Sequence, residues 1–164
     1  MLSNILIMEI NMKKTLLALA LFTALPLLAE EGKLDQISIE SSKTQSNSMD
    51  DYQKNIDKRT PIALGFEIGK QLTKAGLSCS LSTLEVLSLM AKCSYTTIEK
   101  ASNDPQTNID KITADAKESW SFLMNTDLDF HGENKVCIES AYKLRLSALT
   151  AMTKIYLKFT AYLQ

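Results

Sequence analysis

Groups that catalyse reactions are scarce in this chain. Its 164 residues hold one histidine, three cysteines, five glycines and three prolines. No glycine-rich phosphate loop, Gly-x-Ser-x-Gly elbow or His-Glu-x-x-His run is present. His131 has Cys137 six residues away, but nearness in sequence does not make a nucleophile–base pair. Three cysteines are too few for a disulfide-built miniprotein, and without a Cys-x-x-Cys a dithiol oxidoreductase has no support. An excess of one charge is also missing. Eighteen Lys plus Arg face 19 Asp plus Glu, so nothing in the balance draws the chain to nucleic acid. The expectation is a protein that is not an enzyme. What is plentiful is apolar: 45% of the residues, enough to bury a core and too much for a wholly disordered chain.

The N-terminal region reads as an export signal. Met12-Lys13-Lys14 precedes an apolar run from Leu16 to Leu28, with Pro26 near its end and Ala29 before Glu30 and Glu31. A short positive region, an apolar stretch and a small residue form the secretory pattern, and the run is shorter than the ~20 residues a membrane span needs. Leu27 is larger than the residue preferred there, which blurs the cut site. Residues 1–11 carry no positive charge, which places the expected start at Met12. No cysteine lies near the cut, which argues against a lipid anchor; an uncleaved anchor is the alternative. The expected organisation is a signal peptide over 1–29, a disordered linker over 30–51 and a helical domain over 52–164. A periplasmic or secreted location follows. The linker reading rests on Ser41, Ser42, Ser46, Ser48, Gln36, Gln45 and Asn47, which cannot build a core.

Beyond the linker the pattern is helical. Between Gly76 and Gly132 there is no glycine and only Pro105, and after Gly132 neither residue recurs. Thr60-Pro61 reads as an N-cap followed by proline at the first helical position, with a stop at Gly76. Gly65 and Gly69 share a face that admits a close neighbour. Ser82-Thr83-Leu84-Glu85 reads as a capping box, flanked by Leu81 and Val86 at the staple positions. Its helix is apolar nearly all round (Leu84, Leu87, Ala91, Tyr95 and Ile98 against Val86, Leu89, Met90 and Cys93), which predicts a central place. Asn103-Asp104-Pro105 predicts the start of a third helix with Ile109, Ile112, Ala116, Trp120 and Leu123 inward. A last helix is predicted from Glu133 towards Gln164. It carries Cys137, Ala141, Leu144, Ala148, Met152, Ile155, Phe159 and Tyr162 at spacings of 3 and 4. The predicted fold is all-α, an antiparallel bundle of about four helices, the first the shortest.

In such a bundle the second and fourth helices run parallel, which brings Cys79 and Cys137 to one end. A Cys79–Cys137 disulfide is therefore expected, with Cys93 a buried thiol and three unpaired thiols as the alternative. Cys79 and Cys93 would stand roughly 16 Å or more apart along a continuous helix, which excludes that pair.

Three weaker patterns complete the reading. Asp127-x-Asp129-x-His131-Gly132 resembles the opening of an EF-hand loop, which would make Asp127, Asp129, His131 and Glu139 ligands for calcium or zinc. It departs from that motif where His131 replaces an oxygen ligand and Glu139 falls one place late. The plain alternative is a turn between helices. Residues 140–164 carry Lys143, Arg145, Lys154 and Lys158 and no acid. Lys143, Lys154 and Lys158 cluster opposite the apolar stripe, a surface for an anionic membrane or a partner helix, or simply a solvated face. Finally, Ala63-Leu64-Gly65-Phe66-Glu67-Ile68-Gly69-Lys70-Gln71-Leu72 resembles the helical dimerisation segment that precedes the catalytic domain in exported FKBP-type prolyl isomerases. The likeness covers ten residues and implies helix packing, with no activity carried over. The expected function is contact with a protein or cell-envelope component. Membrane association through the basic helix and divalent-metal binding are the alternatives, and self-association through Gly65, Gly69 or the terminal stripe is open.

Overall fold

Five helices occupy the described residues, 41–103 and 108–162 of a computed structural model, and no strand occurs among them. They are α1 (Ser41–Ile56), α2 (Pro61–Ser78), α3 (Leu81–Asn103), α4 (Ile109–Asn125) and α5 (Lys135–Thr160). Among them, none is long and apolar enough to cross a membrane. The signal-peptide reading of residues 1–29 and the linker reading of 30–40 lie outside the described residues.

The all-α bundle is as the periodicity predicts, and side-chain caps show how its helices run. Lys154, near the end of α5, reaches Asp57 and Arg59, just before α2 begins. Cys79, just past the end of α2, meets Cys137 in the first turn of α5. Helices α2 and α5 are therefore antiparallel. Arg145, in the first half of α5, reaches the end of α4, so α4 also opposes α5. Helix α3 starts where α5 starts and runs parallel to it.

Four local expectations move. Residues 41–51 form most of α1 rather than a disordered linker. Their polar composition cannot build a core, but Ile56 is fully buried and Tyr52 is anchored to α5, and such tertiary contacts override weak propensity. Helix α2 runs past Gly76 to Ser78, with the Cys79 N–H closing on the Ala75 carbonyl at 2.7 Å. Helix α3 begins before the expected capping box. The Ser80 carbonyl accepts the Leu84 N–H, and Thr83 turns its hydroxyl to Glu133 instead. Helix α4 starts at Ile109, after Asn108 rather than at Pro105. The Thr60 cap stands as expected, its hydroxyl accepting the Ala63 N–H.

The central helix is α5, not α3. Its buried arc is built from small residues, Ser140, Ala141, Ser147, Ala148 and Ala151, together with Leu144, Met152, Ile155 and Phe159. Small residues let α2, α3 and α4 all close on it. Helix α3 buries only one face and leaves Leu89 exposed. Gly65 and Gly69 do admit a neighbour, as expected. A Cβ built on Gly69 would stand 2.7 Å from the Tyr95 hydroxyl of α3.

Candidate functional site

The residues that could act on other molecules are found by asking which polar and apolar groups the bundle has already committed. At one end, two helices begin beside the expected disulfide. Cys79 and Cys137 are bonded, with Cα atoms 4.9 Å apart, and Cys93 stays a thiol, half-buried and pushed up in pKa by that burial. Asn134 accepts the Cys137 N–H at 2.9 Å and donates to the Ser78 carbonyl at 2.7 Å, which caps α5 and α2 together. Glu133 accepts the Ser80 N–H at 3.1 Å, the Thr83 hydroxyl at 2.6 Å and the Ser80 hydroxyl. The Ser80 and Thr83 hydroxyls hold its carboxyl below the ordinary carboxylate range. The half-buried Glu133 thus ties the start of α3 to the start of α5. Every group here is engaged inside the fold.

A second polar cluster lies under α1, and sequence reasoning missed it. The Glu67 side chain is only 6% exposed. It accepts from the Gln71 amide at 2.7 Å, Arg59 at 2.9 Å and the Tyr52 hydroxyl at 3.3 Å. Tyr52 also pairs with the Ser147 hydroxyl at 2.8 Å. Burial alone would raise the Glu67 pKa, but the Gln71 amide and the charges of Lys70 and Arg59 outweigh it, so the carboxyl sits below its ordinary value. Tyr52 moves up to about 12, mainly through burial and then through the Glu67 charge. The signal for this cluster is Glu67 and Gln71, four apart, falling among Leu64, Ile68 and Ala75 on the inward face of α2.

The expected ligand set does not assemble. The Asp129 carboxylate accepts the His131 N–H at 2.9 Å, a local turn, and Gly132 follows with φ at 80°. Glu139 pairs with Lys143 at 2.5 Å. No three of Asp127, Asp129, His131 and Glu139 bring ligand atoms within 4.8 Å of one another. Among the described residues the one such grouping is Cys79, Glu133 and Cys137, whose sulfurs are bonded to each other.

The expected basic surface is largely occupied too. Lys143 lies over the Tyr52 ring, 5.2 Å from its centre, besides its pair with Glu139. Lys154 donates to the Asp57 and Arg59 carbonyls at 2.5 and 2.7 Å, closing the end of α1. Arg145 donates to the Leu123 carbonyl at 2.8 Å and to that of Thr126, closing α4. Lys158 stands over the Phe159 ring. The apolar stripe of α5 from Cys137 to Phe159 is buried in the bundle, and Tyr162 alone of the expected set is exposed. The apolar stripe opposite the lysines is thus taken up by the core, and two of the four cations, Arg145 and Lys154, cap neighbouring helices.

Least covered among the described residues is the outward face of α5, although Tyr142 meets the Phe130 ring at 5.3 Å and Leu146 and Leu149 are packed in part against the core. At about 100° per residue, Tyr142, Leu146, Leu149, Thr153, Tyr156 and Thr160 fall in one narrow strip. Their spacing is 4-3-4-3-4, a heptad seam. The strip is opposite Lys158 and lies between the sides turned to α1 and α4. A groove of about 330 Å³ meets it at Thr153 and Tyr156, lined also by Ala116, Lys117 and Trp120 of α4 and by Met152 and Leu157 of α5. Trp120, read as inward from the sequence, stands at its rim. A second groove of about 430 Å³ lies between α3 and α4, where Cys93 sits beside a hydrogen-bonded Thr97–Ser119 pair.

Set beside known proteins, the chain matches no protein family, no curated protein and no solved structure.

Proposed function

We propose that this is an exported, non-enzymatic helical protein that acts by contact with a protein component of the cell envelope, presenting its α4/α5 face to a helical partner. The observation that carries this reading is the uncharged heptad seam on the outward side of α5, with the lone tryptophan at its edge. A seam repeating every 3.5 residues suits another helix, and aromatic residues in an apolar groove are the usual anchors of protein contacts. The Cys79–Cys137 disulfide supports an oxidising compartment. The near-neutral charge gives no support for nucleic acid as the partner.

The test places a photo-crosslinking residue at Trp120 or, as control, at the exposed Thr96 of α3, followed by cell fractionation. The expected result is a defined adduct with an envelope protein from position 120 and none from position 96. A cytosolic protein, or adducts that do not depend on position, would reject the reading.

A further inference from the structure

We propose that Cys79, Cys137 and Glu133 form a zinc site while the two cysteines are reduced, so that a metal ion and a disulfide are alternative ties at one corner of the bundle. The site stands apart from the α4/α5 face and does not depend on how that face is used.

Cys79 follows the last residue of α2, Cys137 lies in the first turn of α5, and Glu133 stands two residues before α5 begins. The Cα atoms of the cysteines are 4.9 Å apart. Their sulfurs and a carboxylate oxygen of Glu133 all lie within 4.8 Å of one another. Zinc binds thiolate sulfur at ~2.3 Å and carboxylate oxygen at ~2.0–2.2 Å. In a tetrahedral shell those lengths set two sulfurs about 3.8 Å apart and the oxygen about 3.5 Å from each. Small turns of three side chains reach that arrangement.

The surroundings keep the three groups together when the sulfurs are not bonded. Asn134 joins the Ser78 carbonyl to the Cys137 N–H, so the end of α2 stays at the start of α5. Glu133 is held from behind by the Ser80 N–H at 3.1 Å, the Thr83 hydroxyl at 2.6 Å and the Ser80 hydroxyl. Such donors fix the direction of a carboxylate ligand. Both hydroxyls load Oε1, and Oε2 carries only a share of the Ser80 N–H at 3.1 Å, which leaves lone pairs for a cation.

Two soft thiolates beside one carboxylate select zinc over calcium or magnesium. Cys137 is fully buried, and Cys79 and Glu133 are half-buried, so the ion enters from the Glu133 side and its fourth place falls to water. A newly made chain carries both cysteines as thiols. Binding forms two Zn–S bonds and one Zn–O bond and releases two thiol protons, with no change of oxidation state. Exchange with an oxidising disulfide then makes the Cys79–Cys137 bond, reduces that disulfide to two thiols with uptake of two protons, and frees the ion.

Zinc titration of the purified full chain against a chromophoric chelator tests the proposal. Reduced protein, desalted without oxygen, is expected to bind one zinc and oxidised protein none. Zinc should raise the melting temperature of the reduced form alone. Cobalt(II) in place of zinc should give thiolate-to-metal charge-transfer absorption. Glu133→Gln is expected to weaken zinc binding at least ~10-fold, and Cys93→Ser to leave it unchanged. Reduced wild type that binds no zinc overturns the proposal. So does oxidised protein that binds as well as reduced, or binding that Glu133→Gln leaves as tight or Cys93→Ser abolishes. Circular dichroism checks that Glu133→Gln folds. If it does not, Cys79→Ser takes its place and should lose at least half of the cobalt absorption, an undiminished band overturning the site.

Discussion

Helix α5 has two flanks that the chain treats in opposite ways. Towards α1 it offers Lys143, Ser147 and Lys154, and each finds a polar partner in the same chain. Away from α1 it offers Leu146, Leu149, Thr153 and Tyr156, which the described residues cover only in part. The polar flank closes a network whose buried groups would be costly if unpaired, so α1 is held by hydrogen bonds and one buried isoleucine rather than by an apolar stripe. The apolar flank carries no such demand for geometry. It can wait for a partner, because exposed methyl groups and rings are tolerated where an unpaired buried carboxylate is not.

The largest expected effect strikes both flanks equally. Cys137→Ser opens the 58-residue loop closed with Cys79 and should lower stability by about 4 kcal/mol in the chain-entropy model. Urea unfolding checks the size. Circular dichroism below the transition should still show helix, since caps and core remain. The next effect separates the flanks. Glu67→Ala leaves Gln71, Tyr52 and Arg59 without their acceptor and should cost about 3 kcal/mol. Hydrogen exchange should quicken first in α1. The same carboxylate gives a pH dependence. Its folded pKa lies below the unfolded value near ~4.3, so its contribution is present above that value and lost as pH falls through the folded one. Wild-type stability should be level from neutral pH down to about 5 and decline below it, and Glu67→Gln should decline less steeply.

Much of this was readable beforehand, and the reason lies in the period of the pattern. Leu144, Ala148, Met152, Ile155 and Phe159 repeat at helical spacing, and their burial follows from that alone. The bond between Cys79 and Cys137 follows from two parallel helix starts. Helix α1 was not legible, because its order comes from Tyr52 meeting Lys143 and Ser147, 91 and 95 positions away, and from the burial of Ile56. The role of the lysines was misread for a related reason. Sequence shows which face of a helix a lysine occupies, but not that Lys154 will find the open carbonyls of a distant helix end. The strip at 142–160 is hard to read from sequence because two of its six residues are threonines, while the stripe on the opposite side of the same helix is almost wholly apolar.

A smaller effect probes the polar flank from its far end. Lys154→Met keeps the aliphatic stem and removes the ammonium from the Asp57 and Arg59 carbonyls. Both carbonyls lie at the surface and can turn to water, so the loss should be about 1 kcal/mol, seen as faster exchange in the last turn of α1 with α3 and α4 unchanged.

The smallest effect is the sharpest for the open flank. Thr153 is exposed and lies on the side of α5 away from α1, so in the isolated monomer Thr153→Glu should change stability by less than about 0.5 kcal/mol. A partner that binds only the folded chain raises its apparent stability by mass action. The adduct expected from position 120 should therefore be lost in Thr153→Glu and kept in Glu67→Ala, which disturbs the other flank. If Thr153→Glu keeps the adduct, the open side of α5 is not where the molecule meets its partner, and the contrast between the two flanks reduces to one covered by a helix and one covered by water.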